Sequence, residues 1–451
     1  MARRGRFSRE PEVSGVRSMT HEGRGVADRD GKTVFIDGAL PGETVEWQRM
    51  RAKRRFDEAA VLRVIEPSPD RVTPACDVFG ACGGCVMQHL SNDGQLSVKH
   101  QVLVDSIERI GLLEPSRWLD PVAAQPWHYR RRARLGVRYV DGKSRVLVGF
   151  RERYKPYITD MQSCPVLVEP VAALIEPLAR LIEQLSIARQ LPQIEVAVGD
   201  GESVDALPVV VMILRVLEAP SESDLGKLRA FSEAYGIWFA LQPGGLDSIE
   251  GLARADGSEA PELVYHLPDW GLTLRFEASD FIQVNASINI KMIRQTIELI
   301  GIKSSDRVLD LYSGIGNFSL PLATLAAEVH GVEGAVELTT RAAENARRNG
   351  IDNVSFATSD LSEPDAIDAL ANEPWDLVLL DPARAGAEVF AAKAAQFSTR
   401  RIVYVSCHPG TLARDAALIA AQGYSMTAAG ILNMFPHTAH VESMAVFDRS
   451  A

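Results

Sequence analysis

Residues 307–317 read Arg-Val-Leu-Asp-Leu-Tyr-Ser-Gly-Ile-Gly-Asn, an apolar run that passes directly into a turn with two glycines. Such a run is typical of a buried strand, and the glycines allow the backbone of the turn to approach a ligand closely. Further apolar runs follow and are separated by stretches of helical period. This alternation predicts a parallel sheet covered on both faces, a Rossmann-like α/β domain over residues 285–451. The later runs are 328–333, 354–356, 375–380 and 401–405.

Acidic residues stand at the ends of successive predicted strands: Asp310, Glu333, Asp360 and Asp381. Ligands of open parallel sheets bind beyond these strand ends. A carboxylate there can accept both hydroxyls of a ribose, whereas several carboxylates would repel a pyrophosphate. The pattern therefore favours a nucleoside cofactor with a cationic tail, S-adenosylmethionine. The alternative is that these carboxylates only cap the helices that follow.

Cys407 stands alone in Val-Ser-Cys-His-Pro at residues 405–409, directly after a predicted strand. A lone cysteine is most often a small buried hydrophobe, but this one lies at the edge where reactants bind. A thiolate that adds to C6 of a pyrimidine makes C5 nucleophilic, and a base must later remove the C5 proton. Glu442 is the leading candidate for that base, with His437 and His440 as alternatives.

The other four cysteines form a second group. Cys76, Cys82 and Cys85 follow the pattern C-x5-C-G-G-C, and Cys164 is a distant partner. Four thiolates suit an iron–sulfur cluster or a structural zinc ion. The spacing differs from the C-x3-C-x2-C of radical S-adenosylmethionine enzymes, so we expect a structural or RNA-folding role for this group.

The N-terminal part divides at changes of pattern. A basic tail over residues 1–10 precedes short β-type runs at 11–66, which predict a small OB-like β-barrel. Residues 67–284 mix strands and helices and predict a central α+β domain.

Basic clusters in this part predict a face that binds a polyanion, although the whole chain has a net charge of −11. Residues 121–155 hold ten Lys or Arg and two acidic residues, and further clusters lie at 49–55 and in the tail. For each cluster the alternative is an ordinary solvated face.

The 451 residues contain no apolar stretch that could span a bilayer and no secretory signal, and the five cysteines are too few for a disulfide scaffold. We therefore expect a cytoplasmic protein that does not enter a membrane, and by default a monomer without an obligate protein partner.

Several linked stretches resemble the RNA uracil-5 methyltransferases that use S-adenosylmethionine. The resemblance implies that Cys407 is the nucleophile, that Glu442 is the base, and that Gln283, Tyr312, Asn317, Glu333, Asp360 and Asp381 line the cofactor pocket. Two positions depart from the family pattern, His408 where Asn is frequent and Tyr312 where Phe is frequent. The stretches are 280–285, 309–318, 381–386, 405–407 and 437–444.

The N-terminal pieces resemble one branch of that family, which acts on 23S rRNA. Residues 11–66 are similar to a TRAM domain, and residues 129–135 also match this branch. The resemblance implies that Cys76, Cys82, Cys85 and Cys164 hold a [4Fe–4S] cluster, with zinc as the alternative. It implies a 23S rRNA substrate whose target uridine is flipped out of its stack. The alternatives are the same chemistry on tRNA or on another rRNA uridine, and a non-catalytic RNA-binding ribosome-assembly factor.

Overall fold

The computed structural model describes residues 10–203 and 206–450. Apart from Glu10, the predicted basic tail lies outside these residues. Within the two described ranges, no helix is both long and apolar enough to cross a membrane.

The N-terminal strands form one six-stranded sheet with its own small core. Val45 and Trp47 of the fifth strand are fully buried, while the residue between them is partly exposed, so the alternation of the sequence sets the buried face. Val34 and Ile36 join them in this core. The short strands predicted here are present, and the identification with a TRAM barrel stays a prediction. The strands are β1 (Glu12–Gly15), β2 (Ser18–Met19), β3 (Gly25–Arg29), β4 (Lys32–Asp37), β5 (Thr44–Ala52) and β6 (Phe56–Glu66), in the order β1-β5-β6-β4-β3-β2.

A segment of turns carries Cys76, Cys82 and Cys85 and leads into helix α1 (Asn92–Ser106). The Ser91 hydroxyl accepts the Gly94 N–H at 3.0 Å and so caps the start of this helix. A π-helical turn, Ile107–Gly111, extends α1 to Gly111.

The central part is a second six-stranded sheet with three helices, followed by a separate hairpin. This agrees with the predicted α+β content. Most of its strands pair antiparallel, and only β10 and β11 run parallel. The elements are β7 (Arg132–Val140), β8 (Arg145–Gly149), α2 (Glu169–Ala172), α3 (Ile175–Glu183), β9 (Gln193–Gly199), β10 (Val209–Arg215), α4 (Glu222–Tyr235), β11 (Trp238–Gln242), β12 (Glu250–Leu252), and the hairpin β13 (Leu263–Leu267) and β14 (Leu272–Phe276). The sheet order is β12-β11-β10-β9-β7-β8.

The C-terminal part is a seven-stranded sheet with helices between its strands, as the sequence predicts. Five strands are parallel, and the last two return antiparallel at one edge. The elements are α5 (Ala286–Ile300), β15 (Arg307–Leu311), α6 (Ser319–Ala323), β16 (Glu328–Glu333), α7 (Val336–Arg348), β17 (Val354–Thr358), α8 (Pro364–Leu370), β18 (Leu377–Leu380), α9 (Glu388–Lys393), β19 (Arg401–Ser406), α10 (Pro409–Ala421), β20 (Tyr424–Leu432) and β21 (Glu442–Arg449).

The strand order β17-β16-β15-β18-β19-β21-β20 reverses between β15 and β18. Chains of this kind bind ligands at the crevice where the order reverses. Asp310 lies near the end of β15 and Asp381 directly follows β18, so the topology brings two of the predicted carboxylates to the same crevice.

Candidate active site

Cys407 and Glu442 leave the sheet at the same point. Strands β19 and β21 pair antiparallel, and Ser406 lies opposite Ser443 in that pairing. The Ser443 hydroxyl also donates to the Ser406 carbonyl at 3.2 Å. Cys407 directly follows Ser406, and Glu442 directly precedes Ser443, so the nucleophile and the base proposed from the sequence are neighbours across two strands.

Burial disfavours the ionised forms of both groups. Burial raises the pKa of the Cys407 thiol to about 11, and the carboxylates of Glu442 and Asp381 raise it further, while Arg384 lowers it. Glu442 is 4% exposed, and its pKa is well above the usual range because of burial and then because of Asp381. A thiol and a carboxyl group with raised pKa values, close enough to act on one another, are typical of a site that does nucleophilic and acid–base chemistry on one substrate.

The histidines near this site have other contacts. The His408 Nδ1 accepts the Thr411 N–H at 3.1 Å, so His408 caps α10. His437 is buried, and its ring stacks on Trp127 at 3.8 Å. His440 accepts a hydrogen bond from Arg384 at 3.3 Å. Glu442, in contrast, raises the pKa of Cys407 and directly precedes Ser443, which lies opposite Ser406.

The turn after β15 is shaped for close approach of a ligand. Tyr312 has φ +67°, and Gly314 and Gly316 have φ +54° and +92°, so the backbone bends through conformations that favour glycine. The Glu333 carboxylate accepts N–H groups from Gly314 at 3.1 Å and from Gly334 at 2.7 Å. Glu333 therefore fixes the turn after β15 as well as the start of the loop after its own strand.

Asn317 is held from the central hairpin and from α5. Its Oδ1 accepts the Tyr265 hydroxyl at 3.0 Å and the Asn289 amide at 2.9 Å, and its own amide donates back to Asn289 at 2.9 Å. Tyr265, Asn289 and Gln283 line one small cavity, so Gln283 joins this group. Tyr265 and Asn289 could not be predicted from the sequence, because both contacts link residues far apart in the chain.

One carboxyl group and one hydroxyl group in the crevice have buried polar atoms without partners. Burial raises the pKa values of Asp310 and Asp381 to about 7. Asp310 accepts the Ser319 hydroxyl through Oδ2, whereas Asp310 Oδ1 and the Ser313 hydroxyl are buried without a hydrogen-bond partner among the described residues. A bound cation or a hydrogen-bonding ligand would relieve both defects, so the residues present fit the ligand S-adenosylmethionine.

Asp360 differs from the other strand-end carboxylates. It is exposed, and its Oδ1 accepts the Ser362 N–H at 2.9 Å and the Ser362 hydroxyl at 2.6 Å, which lower its pKa. The capping alternative thus describes Asp360 and part of the contacts of Glu333. It also describes part of the contacts of Asp310, whose carboxyl group accepts the hydroxyl of Ser319, the first residue of α6.

The four remaining cysteines line one cavity of about 260 Å³. Cys82 and Cys164 are buried, and burial raises the pKa values of their thiols and raises that of Cys85 to about 12. Thr438 and His440 line the same cavity, so it borders the segment that leads to Glu442. Over the described residues, no three His, Cys, Asp or Glu side chains converge closely enough to hold a metal ion.

The basic segment 121–155 has fewer unpaired positive side chains than its sequence predicts. Six of its ten cations pair with carboxylates, most of them distant in the chain, which include Asp200, Glu195 and Asp37. Four others have no carboxylate within ion-pair distance in the described part of the chain, namely Arg130, Arg132, Arg138 and Arg151. The paired ones are Arg131, Arg134, Lys143, Arg145, Arg153 and Lys155.

Comparison with known proteins gives the family. A family model described as tRNA (uracil-5-)-methyltransferase matches residues 262–450. The 23S rRNA (uracil(1939)-C(5))-methyltransferase RlmD of Hahella chejuensis is 45% identical to this chain and aligns over 99% of each. The protein of the same name from Alkalilimnicola ehrlichii is also 45% identical, over 100% of this chain and 99% of its own.

The fold has a counterpart among solved structures. The crystal structure of Pyrococcus abyssi tRNA (uracil-54, C5)-methyltransferase in complex with S-adenosyl-L-homocysteine superposes with a TM-score of 0.71, over 97% of this chain and 100% of that one. Its sequence is 22% identical, so the likeness concerns the fold alone. Because its relatives are this similar along the whole chain, the protein belongs to the RNA uracil-5 methyltransferase family, in the group named 23S rRNA (uracil(1939)-C(5))-methyltransferase RlmD.

Proposed function

We propose that this protein methylates C5 of one uridine in 23S rRNA, the uridine that corresponds to position 1939 in the names of its relatives, with S-adenosylmethionine as the methyl donor. The observation that carries the proposal is the pairing that sets Cys407 beside Glu442, next to the crevice between β15 and β18. A non-catalytic scaffold has no need of this pair at the cofactor crevice.

The reaction needs a nucleophile, a methyl donor and a base on one uracil ring. The Cys407 thiolate adds to C6, and the C5–C6 double bond becomes an enolate with its electrons available at C5. S-adenosylmethionine, when bound, would supply an electrophilic methyl group on a sulfonium. Transfer of that group to C5 would form the new carbon–carbon bond, break the bond between the methyl carbon and sulfur, release neutral S-adenosylhomocysteine and leave one hydrogen on C5. Glu442 then takes that proton, the double bond re-forms, and the bond between C6 and sulfur breaks to release Cys407.

The raised pKa values suit this order of events. Cys407 must lose its proton to attack, and the neighbouring Glu442 and Asp381 oppose that loss in the empty site. Arg384 favours the thiolate, and an incoming cationic cofactor would offset Asp381. The site is therefore arranged to form the thiolate only after it is loaded.

The target base must leave its stack for a thiolate to reach C6 from above the ring, at a cost of a few kcal/mol. Contacts to the RNA backbone would offset that cost. We assign them to the N-terminal sheet, taken as a TRAM domain over residues 11–66, and to the free cations of the central domain over 67–284. His21, in the turn between β2 and β3, is near enough to His408 to lower its pKa, and this supports a role for the N-terminal sheet close to the loop of Cys407. The catalytic domain then spans 285–451.

Cys76, Cys82, Cys85 and Cys164 are the ligands we assign to a [4Fe–4S] cluster. The four thiols around one cavity match the donor set of such a cluster. Four thiolates also suit a structural zinc ion, which is the alternative.

Mapping of 5-methyluridine by mass spectrometry in 23S rRNA and tRNA, from cells with and without the gene, tests the substrate. We expect one methyl group to disappear from one 23S fragment and to return with the wild-type gene but not with Cys407→Ala. Loss from tRNA instead would keep the chemistry and overturn the ribosomal substrate. No loss from any RNA would favour the non-catalytic binding factor.

A further inference from the structure

Helix α1 holds the segment that leads into Glu442. Residues 433–441 connect β20 to β21, and Glu442 is the first residue of β21. Lys99 of α1 donates from Nζ to the Asn433 side-chain Oδ1 at 2.8 Å and to the Phe435 carbonyl at 2.8 Å. Both acceptors lie in this segment, so the only hydrogen bonds of the Lys99 ammonium in the described part of the chain are to residues 433–435.

Gln95, one turn earlier on the same face of α1, holds the middle of the segment. Its Oε1 accepts the His437 N–H at 2.8 Å, and its amide contacts His437 Nδ1 at 3.3 Å. His437 has φ +66°, a conformation that a non-glycine residue keeps only when its surroundings hold it. The backbone N–H groups of Val86 and Met87 bind the His437 carbonyl at 2.9 and 3.0 Å and fix it from the other side.

The position of Lys99 is unusual for a charged residue. Its side chain is 1% exposed and lies in the stripe that continues with the buried Leu103 and Ile107. No carboxylate of the described residues lies within ion-pair distance of it, although buried ammonium groups are costly unless they are paired or fully hydrogen-bonded. An apolar residue would fill this place at lower cost, so the two bonds to 433–435 are the feature that distinguishes lysine here.

We infer that Lys99 and Gln95 are positioning residues for Glu442, which set the approach of the base to C5 through residues 433–441. The inference rests on the proposed function. Neither side chain hydrogen-bonds to residues of the loop that carries Cys407, so loss of Lys99 displaces the base and leaves the nucleophile in place. The first half of the reaction then proceeds, and the second half, removal of the C5 proton and release of Cys407, slows.

A single-turnover assay separates the two halves. A 23S rRNA fragment carries tritium at C5 of the target uridine, and the methyl donor carries carbon-14. Lys99→Met should transfer methyl groups within about twofold of the wild-type rate. Tritium release should fall by about ten- to a hundredfold, because a shift of about 1 Å in a catalytic group has effects of that size. The methylated enzyme–RNA adduct should then accumulate on a denaturing gel.

Lys291→Met is the matched control, since Lys291 of α5 is an exposed lysine that donates to the Ala123 carbonyl at 2.6 Å. This variant should leave the rates of methyl transfer and tritium release unchanged. If Lys99→Met does not fold, Asn433→Leu tests the same contact, because it removes one of the two acceptors of Lys99. It should also slow tritium release more than methyl transfer. Equal losses in both steps, or no change in either, would overturn the inference. A wild-type protein that neither transfers methyl groups nor releases tritium would overturn the proposed function first.

Discussion

Ser406 and Ser443 face each other across β19 and β21, and the hydroxyl of Ser443 donates to the carbonyl of Ser406 at 3.2 Å. This pair fixes the register at the end of two antiparallel strands. A shift of one residue would turn every side chain of β21 to the opposite face and remove Glu442 from the vicinity of Cys407. The chemistry of the site thus depends on a strand register as well as on the two reactive groups.

Replacement of Cys407 by Ala should abolish methylation without loss of cofactor binding. The thiol supplies the covalent bond to C6 that makes C5 nucleophilic, and removal of a covalent nucleophile costs at least about 10³-fold in rate. Titration calorimetry with S-adenosylmethionine should give a dissociation constant near that of the wild type. A variant that still methylates at a comparable rate would show that another group activates C5.

Alkylation of Cys407 should depend steeply on pH. Because burial raises the pKa of its thiol to about 11, the reactive thiolate fraction is small at neutral pH and grows about tenfold per pH unit up to that value. Iodoacetamide labelling, followed by mass spectrometry of the peptide that contains Cys407, measures the rate. Arg384→Gln should slow labelling at each pH, since Arg384 lowers this pKa.

Arg117→Gln is the control for that experiment, because Arg117 is exposed and does not act on the pKa of Cys407. It should label at the wild-type rate. A labelling rate that levels off near pH 8, as for an ordinary thiol, would contradict the environment assigned to Cys407.

Binding of S-adenosylmethionine should release protons near neutral pH. Asp310 and Asp381 have pKa values raised to about 7, so each is partly protonated there, and a cationic ligand binds better to the ionised forms. Affinity should therefore rise with pH between about 6 and 8. Calorimetry in two buffers of different ionisation enthalpy measures the protons released.

S-adenosylhomocysteine, which lacks the sulfonium charge, should release fewer protons in the same buffers. Asp381→Asn should remove part of the pH dependence of the affinity for S-adenosylmethionine. Identical proton release for the two ligands would mean that the carboxyl groups of Asp310 and Asp381 do not interact with the sulfonium charge.

Cys82→Ser should lose the metal group of the protein while the Cys407→Ser control keeps it. Protein purified without oxygen should contain about four irons per chain and show the absorption of a cluster. One zinc per chain and no iron would show that the four cysteines hold a structural zinc ion instead of an iron–sulfur cluster. Equal metal content in both variants would show that Cys82 is not a ligand of the metal group.

Neutralisation of the hairpin tip between β5 and β6 should weaken RNA binding and its dependence on salt. Lys53, Arg54 and Arg55 are exposed and form no ion pair with the described residues. The double variant Arg54→Ala, Arg55→Ala should reduce the slope of log affinity against log salt by about one to two, because each phosphate contact contributes about 0.7–0.9.

Arg145→Ala is the comparison for the hairpin variant, since Arg145 is already paired with Glu176 at 2.7 Å. It should change the slope little. Equal slopes for the two variants, measured by filter binding over a range of salt, would remove the hairpin tip from the RNA-binding face.

Local features of the site could be predicted from the sequence. The turn after β15 and the positions of Cys407 and Asp381 follow from strand ends, which apolar runs mark directly. Residues 433–441 and their clamp could not be predicted, because Gln95 and Lys99 meet them across more than 330 positions of the chain. The one sign of this contact in the local sequence was Lys99, a lysine on the apolar stripe of α1.

Charge was the property that the sequence predicted least well. The excess of positive residues at 121–155 counts side chains near in sequence, whereas Arg131 and Arg134 are neutralised by Asp200 and Glu195 from later in the chain. A local sum of charges cannot include such partners, so the unpaired cations of this segment are fewer than the sum suggests.

The most direct measurement is mass spectrometry of the adduct that Glu442→Gln forms with a 23S rRNA fragment and S-adenosylmethionine. Without the base, the methylated uridine should stay bound to the enzyme. Digestion with protease and nuclease should give one cross-linked product, the peptide of Cys407 joined to a methylated uridine from the fragment that corresponds to position 1939. Normal turnover without an adduct, or an adduct on another cysteine, would contradict the pairing of Cys407 with Glu442 as nucleophile and base.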